Sequence, residues 1–489
     1  MEIKLLKKSK ILEAVRQVSQ RRREEVYLVG GAVRDLLLGR PLGKDFDFAV
    51  AGDVESLSKE MAQEIGGHAF PLEEAFGTWR MILKKKKKRV ELDFSRIQGR
   101  DINEDLRQRD FTVNSIAVSL QDIFHPGGPG FIDPLNGLSD LRKRLLRADS
   151  EESLRQDPLR MLRAFRFAST LKFSVEDETW RMIQRNRDLI KRSAGERIRA
   201  EFFAGLGEER SFQFLRHLHG SGLLEEIFPE LEGWEKLNLG GDISLLDHAL
   251  RTVEAAEFTL SHLQDLYPQE AAFLNNHFSQ TEEEGVTRTA LFKFIAFFHD
   301  SGKTVVTPLA QGSLPARYPD HDQEGQKINT SVARRLKLSR RSIRIISDLT
   351  RQHMRVSSLA RAPEVTARAK YRFFQDMGRE GIDLAILSLA NALGSSSILF
   401  RWPFPPEMPE EIKKINQIAE ELLGYYAEES VRKGAKPLLD GKEVMELLGI
   451  DQGKKVGIFL QRLHEAEISG QVRTRAEALQ FLKNIDKFL

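Results

Sequence analysis

The chain has 489 residues, 41% of them hydrophobic and 30% charged, a formal net charge of +3 and no cysteine. That length predicts about three domains, each large enough for its own core. The missing cysteines exclude disulfides and thiolate zinc sites, so any metal must be held by Asp, Glu and His.

Residues 1–145 read as mixed α/β. A helix over Ile11 to Arg22 leads into an apolar strand at 26–29, a Gly30-Gly31 turn, a short helix over Val33 to Leu38 and an acidic strand at 45–50. A helix follows at 54–65, then strand-like runs near 78–84 and 89–94 around Lys84 to Lys88, which sit where a hairpin turn belongs. One more strand is expected at 113–120. From 151 to about 230 the apolar spacing turns helical, and a longer helical block runs from 245 to 400, interrupted between Pro308 and Pro315. The prolines between Arg401 and Pro409 mark a boundary before a small helical tail. The start, Met1 to Lys8, lacks the apolar core and cleavage pattern of a signal peptide. No run approaches the ~18 apolar residues of a membrane span, so the expected location is the cytoplasm.

The chemistry concentrates at Lys44-Asp45-Phe46-Asp47-Phe48. Alternation along a strand points Asp45 and Asp47 to one face while the phenylalanines pack behind. Two acids side by side repel unless a cation sits between them. An isolated Asp-x-Asp is commonly an edge-strand pair, but here a Gly-Gly turn able to approach phosphates precedes it. A second such pair, Glu91 and Asp93, shares a face of another strand. Two divalent ions roughly 3.5–4 Å apart on such acids suit in-line displacement at a phosphorus. Basic groups at Arg21 to Arg23, Lys84 to Arg89, Arg142 to Arg147 and Arg334 to Arg344 read singly as solvated surface, and together favour a polyanionic substrate.

The run Leu28 to Gly39 with Asp45-Phe46-Asp47 resembles the first motif of class II tRNA nucleotidyltransferases and bacterial poly(A) polymerases. Arg109 to Ala117 resembles their second motif, Asp157 to Phe167 their nucleotide-selecting helix, and Glu196-Arg197-Ile198 the motif after it. Phe76-Gly77-Thr78 resembles the segment entering the central hairpin. This resemblance covers 25–230 and implies an α+β protein: a polymerase-beta-like nucleotidyltransferase head (1–145), a helical neck (146–235), an HD-like helical domain (240–400) and a helical RNA-contacting tail (410–489). It implies template-independent addition of C and A from CTP and ATP to the tRNA 3′ end by two-metal, Mg2+-dependent transfer, with CC-only, A-only and poly(A) addition as rivals. The catalytic acids would be Asp45, Asp47 (both Mg2+ ligands) and Asp93. The nucleotide would meet Gly30, Gly31, Arg34, Arg109, Asp110, Asn114, Asp157, Arg160, Arg163 and Arg166, with Asp110 orienting an arginine. Asp157 and Arg160, three apart on one helix face, would read the base: Asp accepts from the amino group of C or A, and Arg donates to the adjacent ring nitrogen. Gln156 stands where many members have Glu, which predicts a looser hold on the selecting arginine.

Downstream, His299-Asp300 with His248, His321 and His353 resembles an HD phosphohydrolase, implying a second divalent-ion site at His248, His299 and Asp300 and, as the reading from another class, hydrolysis at RNA ends. Asn391 stands where that pattern has an acid, and Asp383 lies two turns earlier, so the expectation is a retained fold with a weakened metal site. In the tail, Lys442, Lys454 and Lys455 are the expected RNA contacts, beside glycine turns that resemble RNA-contacting segments of related enzymes.

Overall fold

The computed structural model describes residues 9–41, 43, 45–73, 77–85, 88–125, 130–240, 243–311, 314–396, 400–404, 408–432, 438–468 and 471–485. Met1 to Lys8, Lys44, Phe76, the tip of the lysine run (86–87), 312–313, 405–407 and 436–437 lie outside the described residues. The chain forms two compact units, one of residues up to Phe202 with Arg216–Ile227, the other of Phe203–Leu215 with Phe228 onward.

The first unit is built on a seven-stranded sheet of β1 (Glu25–Val29), β2 (Asp45–Ala51), β3 (His68–Glu73), β4 (Thr78–Lys85), β5 (Lys88–Arg96), β6 (Ala117–Ser119) and β7 (Phe131–Ile132), in the order β3-β4-β5-β2-β1-β6-β7. Only β2 and β5 run parallel among these neighbours. The crossover that parallel pairing requires is supplied by the helix Val54–Ile65 and the β3–β4 hairpin. Strand alternation then sorts the side chains. Phe46, Phe48, Leu92, Phe94 and Met81 are buried together, with the Phe48 and Phe94 rings stacked at 4.9 Å. The helices Lys10–Arg22 and Val54–Ile65 contribute Leu12, Val15, Leu57 and Met61 to the buried interior. On the opposite face Val29 and Ala49 pack with Ile102, Leu106 and Ala117, while the acidic residues farther along β2 and β5 stay uncovered.

Two details depart from the sequence reading. The expected strand at 113–120 is a 3-10 turn, Thr112–Asn114, followed by only three strand residues. β3 was unforeseen because Pro71 interrupts its pattern; it lies at the sheet edge, where a missing ladder N–H is tolerated. After the sheet, the helix Leu159–Leu171 buries Met161, Leu162, Ala164, Phe165 and Ala168 and closes at Lys172 in the left-handed region.

The second unit is helical, with Leu245–Ser261, Arg288–Phe298, His321–Arg335, Arg340–Gln352 and Gly381–Gly394 at its centre. The Pro308–Pro315 interruption is a short hairpin, Leu309–Gln311 with Leu314–Arg317. Beyond the proline-rich boundary come the helix Glu410–Arg432 and three tail helices around Leu439, Val444, Phe459, Leu463 and Leu482. Among the described residues, no helix is long and apolar enough to cross a membrane.

One close approach matters for function. Gly302, in the 3-10 turn directly after Asp300, lies so near the start of the helix His321–Arg335 that a Cβ would stand 2.0 Å from the His321 carbonyl oxygen and 2.5 Å from the Gly325 nitrogen. Gly302→Ala must push that helix away. The expected cost is about 1–3 kcal/mol by denaturant titration, accompanied by loss of whatever depends on His321 meeting Asp300.

Candidate active site

In the first unit, a cleft of about 420 Å³ is lined by Gly30, Gly31, Arg34, Asp47, Arg109, Asp110, Asn114, Asp157, Leu159, Arg160, Arg163, Phe167 and Arg197. Gly30 forms its floor because no other residue fits. Its φ of +69° belongs to glycine, and a Cβ would reach Asp47 Oδ2 at 3.2 Å and Arg109 Nη1 at 3.5 Å.

Register sets the acidic patch. Asp45 lies beside Glu91 and Asp47 beside Asp93, so four carboxylates share one face. Asp47 keeps solvent on one side while the cleft rises around it. That partial desolvation pushes its carboxyl above the ordinary carboxylate value. Asp93 and Asp45 push the same way, and Arg109 opposes them. Among the described residues, neither Asp45 nor Asp47 has a side-chain hydrogen bond or ion pair. Paired acids left without a protein cation are a donor set that fits divalent ions.

The other charges in the cleft are held. Asp110 accepts from Arg163 Nε at 3.0 Å and Nη2 at 2.7 Å and from Asn114 Nδ2 at 3.0 Å. Asn114 passes the chain on by accepting from Arg34 Nη1 at 2.8 Å. Burial alone would raise the Asp110 carboxyl, but Arg163 and Asn114 outweigh it and hold it below the usual range. Arg109 is fixed by Asp105, at 3.1 and 3.2 Å. Phe167 gathers three guanidinium groups over its ring, with the Cζ atoms of Arg166, Arg163 and Arg34 at 4.2, 5.2 and 5.3 Å from its centroid. Each such contact is worth about 0.5–1 kcal/mol and leaves the N–H edges free.

Several sequence expectations need correcting. Asp157 is extended, with φ −132°, and stands ahead of the helix that carries Arg160, not on a shared helical face. Both still line the cleft, held by different partners. Asp157 accepts from Arg197 Nη2 at 2.9 Å. Arg160 donates to the Gln108 carbonyl at 2.9 Å and to Ser153 Oγ. Gln156 is exposed and turned to Glu152, away from Arg160. Arg166 is not part of the cleft lining; it turns to Glu201 at 2.6 Å, which Arg163 also contacts. The sequence reading passed over Arg197 and Phe167. Arg197 lay inside a quoted motif, and Phe167 follows Arg163 by four residues, the spacing of one helix face.

The second unit holds a histidine cage. His248 Nε2 and His299 Nε2 stand 3.3 and 3.2 Å from Asp300 Oδ2, and His321 Nε2 and His353 Nε2 stand 3.3 and 3.4 Å from Oδ1. Thus two ligand sets, His248/His299/Asp300 and Asp300/His321/His353, share one carboxylate. The Nδ1 atoms of His299, His321 and His353 face the carbonyls of Ala296, Tyr318 and Thr350, which aims each Nε2 at the centre. Burial favours a protonated Asp300, yet Lys303 and the histidines hold it well below the carboxylate range. Asn391 lines the same cavity of about 830 Å³, with Lys303, Arg317 and Arg361. Asp383 is engaged elsewhere, buried against Arg288 and His277 at 2.9 Å each. The tail lysines Lys442, Lys454 and Lys455 are exposed.

A family profile described as "Poly A polymerase head domain" matches residues 26–147, and one described as "Probable RNA and SrmB- binding site of polymerase A" matches 172–234. The chain is 30% identical to the CC-adding tRNA nucleotidyltransferase of Geobacter sulfurreducens, covering 93% of this chain and 91% of that protein. It is 33% identical to the A-adding tRNA nucleotidyltransferase of Deinococcus radiodurans, covering 93% and 94%. The fold is similar to that of the Thermotoga maritima CCA-adding enzyme complexed with tRNA, with a TM-score of 0.63 at 20% identity, covering 97% of this chain and 94% of that one.

The crowding at Asp47 has a measurable sign. A carboxyl whose folded pKa is raised opposes folding once ionised; the effect is absent below the unfolded pKa and complete above the folded one. In metal-free buffer Asp47→Asn should raise the unfolding midpoint by roughly 1–3 °C at neutral pH, a small shift because the group keeps solvent contact. At about pH 3, below the ordinary carboxylate pKa, the difference should vanish. A variant less stable than the parent at pH 7 contradicts the reading that partial burial and acidic neighbours penalise the Asp47 charge.

Proposed function

We propose, from the premise that this chain belongs to the tRNA nucleotidyltransferase family, that it extends the 3′ end of tRNA with C and A drawn from CTP and ATP, releasing pyrophosphate. The observation that carries this is the cleft itself, where unpartnered Asp47 faces a set of fixed arginines and one Asp–Arg pair suited to a base. Arg109 is anchored along one edge by Asp105, leaving its other edge for triphosphate oxygens. Arg34 (by Asn114 and Asp35) and Arg163 (by Asp110 and Glu201) are held on both edges as the fixed walls of the cleft. Asp157 can accept from a cytosine or adenine amino group, and Arg160 can donate to the ring nitrogen beside it. The carbonyl of uracil or guanine would face the Asp157 carboxylate, acceptor against acceptor. Divalent ions held by Asp45 and Asp47, with Asp93 beside them, would lower the pKa of the attacking hydroxyl and neutralise the departing pyrophosphate.

Transcripts ending at the discriminator base, at C and at CC, each given CTP, ATP or both, test this by the sequence of their 3′ ends. Three nucleotides followed by arrest are expected. Arrest after CC, or A added only to CC, assigns a partial enzyme, and long A tracts on unrelated RNA refute the tRNA reading. Asp47→Ala should lose on the order of a thousandfold in rate, the loss of several kcal/mol of charge stabilisation. Asp157→Ala should retain chemistry while accepting UTP or GTP.

The cage in the second unit supports a second activity, hydrolysis of a phosphate ester with a bound divalent ion supplying a nucleophilic hydroxide. Arg317 and Arg361 offer charge for the phosphate, and Lys303 flanks Asp300 at 2.6 Å. Water adds to phosphorus, the P–O bond to the leaving oxygen breaks, and that oxygen takes the proton. Opening of a 2′,3′-cyclic phosphate in the presence of nickel or manganese, abolished by His299→Ala with nucleotide addition intact, is the expected result. No hydrolysis with any of Mg, Mn, Co or Ni would leave Asn391 as the reason for a retired site.

A further inference from the structure

The acidic patch has one cation built into it. The antiparallel pairing of β4 with β5 sets Arg80 directly across from Asp93, in the row that continues to Asp47. Its guanidinium grips Asp93 with both prongs, Nε to Oδ1 at 2.8 Å and Nη2 to Oδ2 at 2.7 Å. The remaining nitrogen, Nη1, stands 3.0 Å from Glu91 Oε2. Among the described residues, no other cation is ion-paired with Asp45, Asp47 or Asp93.

A half-exposed ion pair on a strand normally contributes little to stability. This one differs in its neighbours, because two more carboxylates on the same face have no partner at all. We propose that Arg80 is a positioning residue that clamps Asp93 and sets the divalent-ion requirement of the Asp45/Asp47 pair. This rests on reading that pair as the ion site. Without metal, the fork keeps Asp93 from swinging into the repulsion of its neighbours. When an ion approaches, Arg80 competes with it for the same negative charge, so the site demands more metal than four bare acids would. The bidentate fork also fixes the Asp93 rotamer, which a point charge cannot do.

Charge and geometry therefore separate in two variants. Arg80→Gln removes the competing charge and the fork, whereas Arg80→Lys keeps the charge and loses the fork. Mn2+ binding to the full chain, followed by electron paramagnetic resonance without nucleotide or RNA, reads the first. The fraction that disappears in Asp47→Asn is assigned to the acidic pair, which separates it from ions on the histidine cage. Arg80→Gln should tighten that fraction on the order of tenfold, the effect of deleting one charge a few ångströms from a doubly charged ion in a solvated cleft. Arg80→Lys should stay within about twofold of the parent. In nucleotide addition both variants should lose kcat with little change in KM for the nucleotide, and only Arg80→Gln should lower the Mg2+ concentration giving half-maximal rate. Arg80→Ser replaces the glutamine variant if the latter does not fold. Unchanged or weaker Mn2+ binding in the neutral variant overturns the role of Arg80 alone. Binding that survives Asp47→Asn in full overturns the ion site itself, and Arg80's role with it.

Discussion

Like charge, held side by side and left unresolved, is the constraint on which the first unit depends. Asp45 and Asp47 cannot separate because they sit two apart on one strand. Asp93 and Glu91 cannot withdraw because β5 runs parallel and in register beside it. The cost is met from the other side of the sheet, where Phe46, Phe48, Leu92 and Phe94 are buried by the same alternation that exposes the acids. Burying a phenylalanine is worth about 1.5–3 kcal/mol, so a few such residues can hold carboxylates where solution chemistry would scatter them. The strand that concentrates charge and the strand that supplies the core are one strand.

The remaining charged groups are treated in the opposite way. Asp110, Asp105 and Asp383 each have a dedicated arginine, and Arg163 shares Glu201 with Arg166. A cation anchored along one edge has already lost its rotamer freedom, so a ligand that meets its other edge does not have to supply that ordering. The histidine cage obtains the same effect with backbone oxygens. Carbonyls facing the Nδ1 side of His299, His321 and His353 turn each Nε2 inward toward Asp300 before any ion arrives. Pre-ordering is thus common to both sites, though one relies on salt bridges and the other on backbone oxygens.

Much of this was legible in the sequence where the signal is local. The Gly-Gly turn, the acidic strand, the β4–β5 hairpin and the helix after Pro158 follow from alternation, glycine and proline, and they appear within a residue or two of their expected bounds. Contacts made across the sheet or between elements were not legible. No spacing rule tells that Arg80 faces Asp93, because that depends on the hairpin register. Nor does spacing tell that Arg197, forty residues on, meets Asp157. Asp383 shows the local case: its place two turns before Asn391 argued against a cage ligand, and it is indeed buried against Arg288 and His277. Phe167 was overlooked because an aromatic on an amphipathic helix reads as core, and here it is the platform for three arginines.

The arrangement of Asp157 and Arg160 bears on how a protein surface can replace a nucleic-acid template. Had the two lain on one helical face as i and i+3, their most favourable partner would have been each other. An arriving base would then have to break that pair before being read. The extended backbone at Asp157 avoids this by setting the acid ahead of the helix, where Arg197 neutralises one oxygen. Arg160, in turn, rests on the Gln108 carbonyl and the Ser153 hydroxyl, acceptors without net charge. Neutral acceptors orient a guanidinium without quenching it, so its remaining N–H groups keep their full pull on a ring nitrogen. The amide at position 156 bonds to Glu152 and gives Arg160 no support, so the hold on Arg160 comes from the Gln108 carbonyl and the Ser153 hydroxyl. The proposed reading of a base by Asp157 and Arg160 rests on their separation, which Arg197 keeps on one side and the Gln108 backbone on the other.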